Sequence, residues 1–169
     1  MPFDPAAPEI AFARETWARA VKEMWPLWHA HWREVGLDHD VAPLAMDIET
    51  YERMEAAGNL HVVTARGPGG AMVGYVVAIV QQGLHYRTTV FANLDLYYLT
   101  PAVRRWRNGV RLFRFAEESL KERGAKIMNA GTKVHISPVT GKRLDISPIL
   151  RRLGWREIER VHRKVIEWQ

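Results

Sequence analysis

The sequence lacks cysteine entirely across its 169 residues, which excludes a disulfide framework and with it the usual small secreted scaffolds. No apolar run is long enough to span a bilayer, and the first residues carry no signal-peptide pattern. Nothing therefore points to secretion or a membrane, and a cytoplasmic protein fits best. Low-complexity stretches, internal repeats and compositional shifts that would mark a linker are also missing. One domain over 1–169 is the consequence, with 1–8, which holds Pro2, Pro5 and Pro8, as an irregular lead. Metal-ligand spacing is absent too: His29 and His31 would point to different helix faces, and His39 has no matching neighbour.

What is present is a chain with 47% apolar residues, enough for a real core, and an unusual seven tryptophans. Lys and Arg number 24 against 19 Asp and Glu, a net charge of +5. The basic residues cluster locally, at Arg104, Arg105 and Arg107, at Lys142 and Arg143, and at Arg151 and Arg152. They form no single stripe with interleaved aromatics, so a nucleic-acid partner ranks last, and a small polyanion serves the first cluster as well.

Hydrophobic periodicity gives an alternating α/β order. A first strand is expected over 9–15, then a helix capped by Thr16 with Trp17, Val21, Trp25, Trp28 and Trp32 at helical spacing. Pro26 should kink or split that helix. A shorter helix over 47–57 ends at Gly58. Strands over 60–66, 71–81 and 88–100 follow, the first two joined by the glycine-rich turn at 67–70. A helix opens at Gly109 and ends at Gly124, and 126–133 reads as a strand. The tryptophan face of the first helix suggests core or dimer packing, and a homodimer is expected.

The stretch 93–124 carries the most chemistry. Strand, basic turn and helix succeed one another there, and the unpaired N–H groups of the helix start, at the positive end of its dipole, favour an anion. From pattern alone, a solvated basic turn is an equal reading. The spacing of Arg104, Arg105, Trp106, Arg107, Asn108 and Gly109 after LYYLTP resembles the Q/R-x-x-G-x-G/A loop of the GNAT superfamily of acetyl-CoA-dependent N-acetyltransferases. Arg104 stands at the Gln/Arg position and Gly109 at the second small residue, while Arg107 replaces the first Gly. The order of elements is similar over nearly the whole chain. An HY-R element before the cradle strand and the Trp-lined N-terminal helix are also similar to small acetyltransferases carried by phages and prophages.

The resemblance implies a mixed central sheet in the order β-α-α-β-β-β-α-β-α-β, with splayed parallel strands forming the acyl-CoA site. It alone implies a last short helix over 149–154 and a closing strand over 157–168. It implies acetyl-CoA as cofactor, its pyrophosphate on backbone N–H groups from Trp106 to Val110. Pantetheine would lie along the backbone of Tyr97 and Leu99, and the Tyr97 N–H would polarise the thioester carbonyl. The expected reaction is acetyl transfer to a primary amine of a small molecule or protein, by direct attack in a ternary complex. For the general base, Asp95 shares strand parity with Tyr97; pairing with an arginine or capping a backbone group is the equal alternative for that carboxylate. The carboxylate of histone-modifying relatives falls on Asn93, and the tyrosine of the family's last helix falls on Leu150, which leaves Tyr97, Tyr98 or water to protonate the thiolate. His85 and His135 are further catalytic candidates, and His31, His85 and Tyr86 are candidates for contact with the acceptor. The segment 135–147 reads equally as a substrate lid or a surface loop. A non-catalytic acyl-CoA-binding module is the principal alternative, and a basic nucleic-acid-binding protein the third.

Overall fold

The computed structural model describes residues 9–104, 107–137 and 140–166, with His135 described by its backbone alone. Strand β1 (Ala11–Glu15) leads into α1 (Trp17–Val35), whose first turn is capped by the Thr16 hydroxyl accepting from the Arg19 N–H. Helix α1 runs unbroken through Pro26, so the expected split does not occur. Helix α2 (Ile48–Ala56) starts on Asp47, whose carboxylate accepts from the Thr50 N–H at 3.0 Å, and Gly58 beyond it has φ +73°.

Strands β2 (Leu60–Arg66), β3 (Met72–Gly83) and β4 (Tyr86–Leu99) form an antiparallel meander. A short 3-10 turn, Pro101–Val103, leads on to α3 (Asn108–Glu122), and β5 (Ile127–Ala130) then pairs parallel to β4. The sheet order is β1-β2-β3-β4-β5. Its central strand β3 reads as a nearly continuous apolar run because helices cover both of its faces. On one side, Trp17, Ala20, Met24 and Trp28 of α1 pack on Val62, Tyr75, Val77 and Tyr98. On the other, Leu112, Phe113, Ala116 and Leu120 of α3 pack on Val63, Val76, Ala78 and Leu94. Trp25, expected on the buried stripe, is 51% exposed.

The segment expected as a lid or loop contains regular structure, with 138–139 outside the described residues. It holds a small hairpin, β6 (His135–Ile136) with β7 (Arg143–Leu144), followed by α4 (Ser147–Arg152). The expected closing strand does not form: residues 157–166 pair with no strand among the described residues and leave Ile158, Val161 and Ile166 exposed. A strand needs a partner edge as well as an alternating pattern, and no described edge receives it. Among the described residues no helix is long and apolar enough to cross a membrane.

Candidate active site

Strands β4 and β5 pair only from Phe91 with Ile127 to Leu94 with Ala130. Beyond that point β4 continues to Leu99 without its parallel neighbour, so the two strands part. A one-residue bulge sits at the parting: Val77 pairs with Leu96 but Ala78 with Leu94, which leaves Asp95 as the extra residue. The bulge reverses the alternation of the strand. Before it, Ala92 and Leu94 face α3; after it, Tyr97 and Leu99 do, while Leu96 and Tyr98 face α1.

Asp95 therefore does not share a face with Tyr97, contrary to the parity count. Its carboxylate turns to α2 and accepts a hydrogen bond from the Tyr51 hydroxyl. Burial of Tyr51, reinforced by this carboxylate, raises the phenol above its ordinary pKa. The expected arginine partner for Asp95 is replaced by a tyrosine. The ring of Tyr51 is in turn stacked on Trp17, with centroids 4.4 Å apart.

The backbone beyond the bulge is open on the β5 side. Thr100 N–H donates to the Val73 carbonyl at 2.8 Å, and the ladder alternates from there. Tyr98 and Leu96 consequently bond to β3, whereas the polar groups of Tyr97 and Leu99 face the gap that β5 vacates. One of these is already engaged, since the Leu99 carbonyl accepts from Arg104 Nε at 2.7 Å. The Tyr97 side chain packs beside Phe113, and its hydroxyl donates to the Gly131 carbonyl just past the end of β5. Burial pushes this phenol up to about 12.

At the end of β4 the chain enters α3. No side chain caps this helix among the described residues, and its first residue after Asn108 is Gly109. Among the described residues a Cβ built on Gly109 meets nothing within 4 Å, and its φ is not in the left-handed region. The glycine is thus not demanded by the fold, and it leaves bare space in front of unpaired helix N–H groups. Arg107, at the position where the resembling loop has glycine, has φ −119° and needs no strained backbone. Arg105 and Trp106 lie outside the described residues.

Arg104 is a correction. Its guanidinium turns away from the helix start and forms a two-point ion pair with Glu34 of α1, with Nη2 2.6 Å from Oε2. It also lies over the Tyr98 ring, 5.1 Å from the centroid. Its side chain holds the turn in place and is not free to bind phosphate.

On the α1 face of the opening lies a pocket of about 250 Å³, walled by Trp28, His31, Trp32, Leu44, Met46 and Leu96, with Lys133 and Arg163 at its edge. His31 Nδ1 is 3.0 Å from the Tyr75 hydroxyl, and its ring stacks on Tyr98 at 4.8 Å. Burial lowers His31 to about 4, outweighing the opposing pull of Glu34, so the imidazole is neutral at pH 7. His85 and Tyr86 are elsewhere. They line a second pocket at the tip of the β3–β4 hairpin, and the strand from Tyr86 to Asp95 covers about 30 Å at ordinary rise. The side chain of His135 lies outside the described residues. Asn93 accepts from Asn129 Nδ2 at 2.9 Å, a cross-strand pair at the base of the opening. Leu150 is buried against the α3 core, and no hydroxyl stands there. The described residues contain no group of three or more potential metal ligands.

No family model and no curated protein sequence matches this chain. Solved structures do. An aminoglycoside acetyltransferase from an uncultured soil metagenomic sample superposes with a TM-score of 0.69 at 15% identity, covering 95% of this chain and 99% of that one. The chain has the GNAT fold. Ribosomal-protein-alanine N-acetyltransferase from Brucella melitensis gives 0.60 at 15% identity, with 95% and 100% covered. AAC(6')-Iy, solved with the bisubstrate analogue CoA-S-monomethyl-acetylneamine, gives 0.60 at 18%, with 95% and 99% covered. Within the GNAT fold, the parting of β4 and β5, the bulge at Asp95 and the start of α3 lie along a single strand and its continuation.

Proposed function

We propose that the protein is an N-acetyltransferase that passes an acetyl group from acetyl-CoA to a primary amine by direct attack in a ternary complex. The observation that carries this reading is that the β4–β5 opening leads directly to an uncapped, glycine-bared helix N-terminus on the continuation of the same strand. A phosphate-bearing tail and an extended arm fit those two features in that order.

Acetyl-CoA supplies the activated acetyl group. The N–H groups at the start of α3, from Asn108 to Val110, hold its diphosphate, and Arg107 adds charge there. The backbone of Tyr97 and Leu99 orients the arm, and the Tyr97 N–H donates to the carbonyl oxygen on which charge develops. The amine approaches from the α1 face, where neutral His31 orients it and Asp95 takes its proton, directly or through water. The departing sulfur takes its proton from Tyr97, whose hydroxyl burial keeps protonated, from Tyr98 or from water. The exposed apolar residues Trp25, Ile158, Val161 and Ile166 favour self-association as a homodimer, which sedimentation tests.

Release of free coenzyme A thiol in the presence of a broad amine panel tests the reading. Amine-dependent release supports it. Tight coenzyme A binding with no release for any amine would favour the alternative of a non-catalytic acyl-CoA-binding module, for which the apolar Leu150 at the tyrosine position argues.

A further inference from the structure

The α1-face pocket combines two indoles and aliphatic walls with cations at its edge and, among the described residues, no lining carboxylate. We infer that the acceptor is a small apolar monoamine bearing a carboxylate, of the size and type of a free aromatic or branched-chain amino acid. The inference rests on the acetyltransferase reading and narrows its acceptor.

Charge decides first. A polyamine or aminoglycoside brings several ammonium groups, and each needs a carboxylate to offset its desolvation. Two of the carboxylates on the surrounding elements are already engaged. Glu34 is locked to Arg104 and Asp38 accepts from Arg163 at 3.1 Å, while Asp95, the proposed base for the reacting amine, serves only that one nitrogen. What the pocket presents to a ligand is positive: of its two lining cations, Arg163 is paired with Asp38, and Lys133 is exposed and without a carboxylate partner among the described residues. An anionic group on the acceptor meets that edge favourably.

Size and surface agree. At about 250 Å³ the pocket has room for one ring or a branched chain. Trp32, Leu44 and Met46 supply apolar wall for such a side chain, with Trp28 nearly buried behind them and stacked on Trp17, and Leu96 forms the wall adjoining the bulge where the amine must react.

The test compares coenzyme A thiol release with phenylalanine, leucine, phenethylamine, phenylalaninamide, spermidine and kanamycin, after acetyl-CoA binding has been confirmed by calorimetry. Phenylalanine or leucine is expected to exceed both spermidine and kanamycin in kcat/KM by more than tenfold, and phenylalanine to exceed phenethylamine by a similar factor. Lys133→Glu should collapse the phenylalanine-to-phenethylamine ratio toward one. Preference for spermidine or kanamycin overturns the inference while leaving acetyl transfer intact. Equal use of phenethylamine, or better use of phenylalaninamide as a stand-in for a peptide N-terminus, overturns the carboxylate assignment. Acetyl-CoA binding with none of the six acetylated also overturns it. Failure of acetyl-CoA to bind at all defeats the underlying reading instead.

Discussion

Arg104 and Glu34, 70 residues apart, form a two-point ion pair that ties the turn before α3 to the last turn of α1. The Glu34 side chain is only 6% exposed, whereas that of Arg104 is 37% exposed. Arg104→Ala strands a buried carboxylate. The expected loss is about 2–3 kcal/mol, at or below the low end for broken buried pairs because solvent reaches the guanidinium. Urea denaturation checks it. The double variant Glu34→Leu with Arg104→Met should recover most of the loss, since an apolar pair leaves no unpaired charge.

Asp95→Asn should lower turnover by about 10²–10⁴ while leaving acetyl-CoA affinity and melting temperature near those of the parent. Asp95 is exposed, so removing its charge costs the fold little. The acid limb of the pH–rate profile should disappear with it. Normal turnover with an unchanged profile would move the base to His31.

His31 and His61 both carry pKa values lowered by burial to about 4, against an ordinary 6.5. His61, on β2, shares a hydrogen bond of 2.8 Å with Ser119 of α3, and its Nδ1 finds no partner among the described residues. Between pH 6.5 and 4 the unfolded chain binds protons at these two positions and the folded chain does not. Stability is therefore full above pH 6.5 and declines as the pH falls toward 4, with a limiting slope of about 2.7 kcal/mol per pH unit from the two together. His61→Gln should remove about half of that slope, measured as the urea midpoint from pH 7 to 4.5. An unchanged slope would mean that His61 titrates normally.

The elements governed by local chemistry were legible in the sequence. Thr16 announced its helix as a cap, Gly58 and Gly124 ended theirs, and β2 fell where the glycine-rich turn after it bounded it. What could not be read depended on partners distant in sequence. The bulge at Asp95 exists only relative to β3, so parity counting along β4 put Asp95 on the wrong face. The Glu34 partner of Arg104 left no trace in the basic turn. The closing strand implied after residue 156 found no described edge. Leu44 and Met46, pocket walls from the α1–α2 connection, were missed; their one signal was apolar character in a stretch with no periodicity.

The central claim is that the start of α3 binds the phosphates of coenzyme A, and calorimetric titration of Gly109→Glu with coenzyme A tests it most directly. Among the described residues a Cβ at this position meets no atom within 4 Å, and it requires no left-handed backbone, so the variant should fold and melt like the parent. Its carboxylate would occupy the space before the helix N–H groups and repel phosphate. The account predicts an affinity loss of at least about a hundredfold, ~2.7 kcal/mol, at unchanged melting temperature. Parent-like affinity in the folded variant would contradict it.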